Sequence, residues 1–191
     1  VDTVFFASTL GAMSIITKRG DDGQTDLLFS KRAAKTGRRV EALGVVDELN
    51  AALGLARASG AAPEVETIID RVQEKLVGLM GVLACLPEDE AAYREKGYAR
   101  LEAADVEWLE ETAKRLEAGG VRFTGWARPG AEHSASRAGL DFARAVARRA
   151  ERRVLDLDAA EGPLDEPVRL YFNRLSDLLW ILARAENPAG E

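Results

Sequence analysis

A chain of 191 residues with 47% apolar and 30% charged side chains has the composition of one globular domain with a single core, which excludes disordered and fibrous classes. Its formal net charge of −6 excludes a general nucleic-acid binder, because phosphate neutralisation needs a basic footprint; any basic site is local. One cysteine, Cys85, rules out an intrachain disulfide, and with one histidine, His133, no protein metal site of the zinc type is expected.

Residues 1–13 read as an N-terminal extension outside the fold, with Met13 a natural start, and residues 188–191 as a tail. The first apolar stretch has no basic segment before it and is far short of a membrane span. No apolar run reaches about 18 residues, so no membrane partner is expected and, with the lone cysteine, the cytoplasm is the expected compartment. Residues 14–187 are then one domain.

Residues 14–39 are polar, glycine-containing and without sustained periodicity, and predict a loop that is ordered or becomes ordered on a ligand. Val40, Leu43, Val46, Leu49 and Leu53 predict a first helix to about Ser59, punctuated by Gly60 and Pro63. Val65, Ile68, Ile69, Val72, Leu76, Leu79, Met80 and Leu83 follow the i, i+3, i+4 rule for a second, which Pro87 stops. Cys85 lies in its apolar tail and reads as a small buried hydrophobe.

Residues 88–100 are charged and weakly patterned. Val106, Leu109, Ala113 and Leu116 predict a third helix before Gly119 and Gly120, and a loop follows in which His133 stands near a helix start. The fourth helix runs over about 134–157 with Leu140, Ala143, Ala147, Ala150 and Val154 inward; the fifth begins near Pro167 and uses Val168, Tyr171, Leu175, Leu178, Leu179 and Leu182. Five helices without strand alternation predict an all-α, five-helix up-and-down bundle.

Three polar patterns stand out. In the fourth helix Arg144, Arg148 and Arg152 recur at i, i+4 and i+8, and residues 134–153 hold six arginines against Asp141 and Glu151. Such a ladder suits polyphosphate oxygens, and it equally suits a solvated face laced with ion pairs such as Arg148 with Glu151. Asn173, Asp177, Trp180 and Arg184 make a polar stripe on the fifth helix. Gly44 and Gly54 flank Asp47 and Asn50 in the first helix, and read as close packing or as room for a ligand. In the N-terminal loop, glycines 20 and 23 let backbone N–H groups turn toward an anion, with Lys18 and Lys35 as point charges. A Walker A spacing is absent.

In chain order, TKRGDDGQT, RRVEALGVVDELNAALGLA, ARAVARRAERR and YFNRLSDLLWILAR resemble the signature blocks of the PduO-type ATP:cob(I)alamin adenosyltransferases. The resemblance implies a ferritin-like bundle, a homotrimer with active sites between subunits, and transfer of the 5′-deoxyadenosyl group of ATP to the Co(I) of cob(I)alamin. It implies Mg2+ with the nucleotide and handover of the product to an adenosylcobalamin-dependent enzyme. By position the ATP contacts fall on Thr17, Lys18, Arg19, Gly20, Thr25, Asp26 and Lys35, on Arg148, Arg149, Ala150, Glu151 and Arg152, and on Asn173. Asp47 and Arg144 match a pair important for activity, and Arg148 matches the arginine that handles the triphosphate.

The resemblance also implies an aromatic wall beneath the corrin, in a loop that here reads Phe123, Thr124, Gly125, Trp126, Ala127, Arg128, Pro129, Gly130, Ala131. Trp126 or Phe123 takes the aromatic slot, and the stretch to Arg144 is two residues longer than in the family pattern. Asp141 stands where the family commonly has histidine. The altered loop keeps an alternative function open, an ATP and adenosylcobalamin carrier or sensor without efficient catalysis.

Overall fold

The computed structural model describes Ile16 and residues 18–122, 125–131 and 133–185. The expected extension over residues 1–13, the tail over 188–191, and the two candidates Thr17 and Phe123 lie outside the described residues.

Six helices occur among the described residues, against five expected. They are α1 (Arg38–Ala58), α2 (Pro63–Leu83), α3 (Glu90–Glu95), α4 (Ala103–Ala118), α5 (Ala135–Glu161) and α6 (Glu166–Ala185). The additional one, α3, is a short helix inside the charged stretch, held by the buried ring of Tyr93. At this length no apolar stripe can repeat, so periodicity was silent there. A two-stranded antiparallel hairpin, β1 (Gln24–Asp26) with β2 (Arg32–Ala34), also departs from the expected loop. Strands of three residues are too short to show alternation.

The five long helices form the bundle. Short turns make α1 antiparallel to α2, and α5 to α6. Arg38 pairs with Asp156 at 3.1 Å and Arg153 with Glu41 at 3.1 Å, which sets α1 and α5 antiparallel. Lys75 on Asp105 and Arg71 over Trp108 close α2 against α4, whose N-terminus is finished by a capping box between Glu102 and Asp105. The interior is one cluster in which Leu49, Leu53, Leu76, Leu79, Leu140, Tyr171, Phe172 and Leu175 are fully buried. Most of the stripe residues expected from periodicity are in it, while Val40 and Leu43 are only half-buried.

α1 and α5 approach closely at Gly139, where an added Cβ would sit 2.8 Å from the Ala56 Cα. Of the two readings of Gly44 and Gly54, close packing or room for a ligand, close packing does not hold: a Cβ added at Gly44 would meet nothing within 4 Å, and one at Gly54 only the Gln73 amide at 3.5 Å. Helix glycines are required where two backbones touch, and that place is on α5.

Arg39, 5% exposed, joins the start of α1 to the ends of two other helices. Its Nη1 donates to the carbonyls of Leu83 (2.9 Å) and Cys85 (2.7 Å), and its Nε and Nη2 donate to Glu161 (2.9 and 2.6 Å). The carbonyl between them, of Ala84, accepts from the N–H of Leu28 at 3.0 Å and so ties the hairpin to the same turn. Arg39→Ala leaves two carbonyls and a carboxylate without their donor and should cost about 2–4 kcal/mol of unfolding free energy. Glu161→Gln, on the more exposed partner, should cost under about 1 kcal/mol. Urea denaturation of both variants checks the order, and equal losses would contradict the central role of the two carbonyl bonds.

Candidate functional site

The N-terminal loop is built before any ligand arrives. Lys35 donates from Nζ to the Gly20 carbonyl at 2.7 Å, and its own N–H reaches the Gly23 carbonyl at 2.9 Å. A Cβ on Gly20 would stand 2.8 Å from that ammonium, so a side chain there would displace Lys35. Arg32 donates to the Arg19 carbonyl at 2.7 Å and to Asp22 at 3.1 Å, while Arg19 pairs with Asp26 at 3.1 Å. The Gln24 N–H and the Arg32 guanidinium beside it hold the Asp22 carboxyl below the usual carboxylate range. Lys18 has a left-handed backbone (φ 58°) and an exposed side chain; Thr25 is half-buried in β1.

Arg32 was missed by motif reasoning. Its signal was the hairpin register, since Asp26 and Arg32 are cross-strand partners and a carboxylate opposite a guanidinium is a favoured pair.

On α5 the arginines sort into two groups. Arg149 pairs with Glu48 and Arg153 with Glu41, both on α1. Arg144, Arg148 and Arg152 make no ion pair within 4 Å among the described residues; Arg152 donates to the Arg148 carbonyl at 2.8 Å. The i, i+3 pair of Arg148 with Glu151 does not form. Two of these five arginines are thus structural, and the spaced ladder, with Arg148 and Arg152 exposed, is left for another anion. Ala150 is fully buried and turns its side chain to the core, away from that face.

Asp47 is exposed on α1 and has no ion pair with Arg144 in the described chain. Asn173 is exposed on α6, its Oδ1 accepting from Arg174 Nη1 at 2.7 Å. The contacts of Arg184 with Asp141 and of Arg137 with the Ala183 carbonyl fix the antiparallel register of α5 and α6, which brings Asn173 about level with Arg148–Arg152. No hydrogen bond or ion pair among the described residues links the Lys18–Lys35 loop to Arg148 or Arg152.

At the far end of α5, Trp126 is 93% exposed. An indole left in water at this level is unusual for a residue that buries so much area when it can. His133 is an exposed residue with φ 57° beside the N-cap Ser134, as a helix-start residue should be. Cys85 is buried and its thiol is pushed above its usual range by desolvation, so it rests as a neutral hydrophobe.

These elements, a preformed glycine loop, an arginine ladder without internal partners and an exposed aromatic loop, match a group of known proteins. The family model for cobalamin adenosyltransferase covers residues 15–186. The chain is 38% identical to the corrinoid adenosyltransferase PduO of Salmonella typhimurium over 92% of its own length and 50% of that protein's. It is 38% identical to a cobalamin adenosyltransferase of Cupriavidus metallidurans over 92% of this chain and 89% of the other. It therefore spans about half the length of the first of these relatives and most of the second. Among solved structures, a variant PduO-type ATP:corrinoid adenosyltransferase from Lactobacillus reuteri, complexed with cobalamin and ATP, superposes with a TM-score of 0.78 at 30% identity, covering 90% of this chain and 92% of that one. A match that takes in the loop, the ladder and nearly every helix leaves one reading of the fold and its ancestry: the chain belongs to the cobalamin adenosyltransferase family.

Proposed function

We propose that this protein transfers the 5′-deoxyadenosyl group of ATP to the Co(I) of cob(I)alamin, giving adenosylcobalamin and triphosphate. The observation that carries the reading is the pair of exposed arginines, Arg148 and Arg152, left without ion-pair partners beside two that are structurally engaged. Similarity to relatives that are corrinoid adenosyltransferases, and to a structure holding cobalamin and ATP, supports the same assignment.

In this reaction Co(I) attacks the 5′ carbon, a Co–C bond forms, and the C5′–O bond breaks with its electron pair leaving on the triphosphate. A metal nucleophile has no proton to give up, so the exposed His133 needs no role as a base. The chain's work is alignment of two large substrates and stabilisation of the departing charge. The Lys18–Lys35 loop contributes two ammonium groups and backbone N–H groups, Arg148 and Arg152 two planar forks, and Asn173 a polar contact about level with them. Among the described residues no group of three acidic, histidine or cysteine side chains could cage a cation. Mg2+ would come to the site on phosphate oxygens with its own water.

Among the described residues the loop and the ladder lack a direct link, and Asp47 and Arg144 make no ion pair on α1 and α5. Leu55 (59% exposed) and Phe142 (50%) stand on the same two helices. These features support a homotrimer whose active sites close between subunits. The consumer of the product would be an adenosylcobalamin-dependent enzyme. The compartment we infer is the cytoplasm, on the single cysteine; among the described residues no helix is long and apolar enough to cross a membrane.

Arg148→Ala should lower turnover of ATP and cob(I)alamin by at least about 100-fold, whereas Arg153→Ala, which loses only the pair with Glu41, should change it by less than about threefold. An anaerobic spectral assay of adenosylcobalamin formation reads both. Bound ATP and corrinoid without product in the wild type would instead establish the carrier or sensor. Trp126→Ala should slow turnover started from cob(II)alamin and a reductant about tenfold more than turnover from pre-reduced cob(I)alamin. Equal effects in the two assays would remove Trp126 from the corrin-facing slot. Sedimentation equilibrium should return three times the 20.7 kDa chain mass, and a monomer at micromolar concentration would refute the shared site.

A further inference from the structure

The turn that closes the hairpin is strained, and it adjoins the strand that builds the nucleotide loop. Residues 27–31 join β1 to β2, and within them Phe29 (φ 54°, ψ 36°) and Ser30 (φ 59°) both lie in the left-handed region. Glycine takes that conformation freely; other residues pay for it, and a bulky ring is poorly tolerated there. Two such residues in succession persist only where their surroundings hold them. Here the Leu28 N–H donates to the Ala84 carbonyl at 3.0 Å, and Lys31 pairs with Glu88 at 3.4 Å and with Asp89 at 3.5 Å. The Phe29 ring lies on that of Tyr98, with centroids 6.4 Å apart and planes at 31°.

That ring contact is the one that uses the side chain of a strained residue. It continues inward: Tyr98 meets Tyr93 edge to face at 5.2 Å, and Tyr93 is 4% exposed and donates its hydroxyl to the Ala99 carbonyl at 2.6 Å. Phe29 thus ties the hairpin, through Tyr98, to a residue of the core. A hairpin whose strands have three residues each is too short to keep its shape alone, so its position is set by such tethers. The position matters because β2 and the residue after it supply the groups that build the loop. Arg32 donates to the Arg19 carbonyl at 2.7 Å, and Lys35 to the Gly20 carbonyl at 2.7 Å.

We propose that Phe29 is a positioning residue for the nucleotide: its ring, seated on Tyr98, keeps the strained turn, and with it the Lys18–Lys35 loop, in the ATP-binding form before ATP arrives. The proposal rests on the ATP site of the preceding subsection. Without the ring the turn relaxes out of the left-handed region and the binding-competent hairpin becomes a fraction of the population. Apparent affinity for ATP falls by that fraction, while the ATP-saturated complex is unchanged.

The test is calorimetric titration of the full chain with ATP, paired with adenosyl transfer to cob(I)alamin over a range of ATP concentrations. Phe29→Ala and Tyr98→Ala should each raise the Kd and the KM for ATP about tenfold and leave kcat at saturating ATP within about twofold. The double variant should be no worse than either single one, because both remove the same contact. Phe29→Tyr keeps the ring and should stay within about twofold of the wild type in every constant. Phe29→Gly separates ring from backbone: it relieves the strain but lacks the ring, and should weaken ATP as Phe29→Ala does. Wild-type ATP affinity in Phe29→Gly, additive losses in the double variant, or a fall in kcat with KM unchanged would each overturn the positioning role. Single variants that bind ATP as the wild type does, with turnover intact, remove that role alone. A wild type that binds no ATP removes it together with the proposed function.

Discussion

The buried guanidinium of Arg39 is the contact on which the geometry of the nucleotide end depends. It holds the carbonyls of Leu83 and Cys85, and between them the Ala84 carbonyl takes the N–H of Leu28. One turn at the end of α2 therefore fixes the start of α1, the end of α5 through Glu161, and the hairpin that carries the Lys18–Lys35 loop. Buried backbone carbonyls must be paired, and an arginine with five donors can pair several at once, which a lysine could not do with the same planar geometry. The loop inherits its rigidity from that node.

The second organising feature is the antiparallel seam between α1 and α5. The two backbones approach closely at Gly139 and Ala56, and along the rim Glu41 and Glu48 of α1 claim Arg153 and Arg149. Surface ion pairs of this kind contribute little to stability. Their effect here is on the function of their neighbours, because the two arginines that acid groups of α1 occupy are the ones not spaced at i+4 from Arg144. The ladder is left electrostatically unsatisfied, a state that favours an incoming polyanion.

An acidic protein can thus present a local basic face on one helix without becoming a general polyanion binder. The arginines of α5 and α6 differ in construction. Arg148 and Arg152 stand on an exposed face, suited to charge that develops and departs, whereas the Arg137 and Arg184 side chains are anchored to a backbone carbonyl, an aromatic ring and a carboxylate. The anchored pair serves the register of the two helices.

The sequence by itself determined the five long helices, because an apolar stripe repeated over several turns leaves few alternatives, as the burial of Leu49, Leu76, Leu140, Leu175 and their stripe-mates shows. It determined the family through four short blocks in order, and the inert character of Cys85 through its apolar setting. Tertiary structure alone decided the rest. The helix α3 and the hairpin are shorter than one period of any pattern, so their formation depends on what they dock against: Tyr93 in the core, and the Ala84 carbonyl for Leu28. The sorting of the five arginines from Arg144 to Arg153 into structural and available groups depends on which α1 glutamates lie opposite them, a matter of helix register that periodicity does not contain. The same holds for the glycines: Gly44 and Gly139 look alike in sequence, and only the meeting of α1 and α5 makes one a requirement and leaves the other in open space.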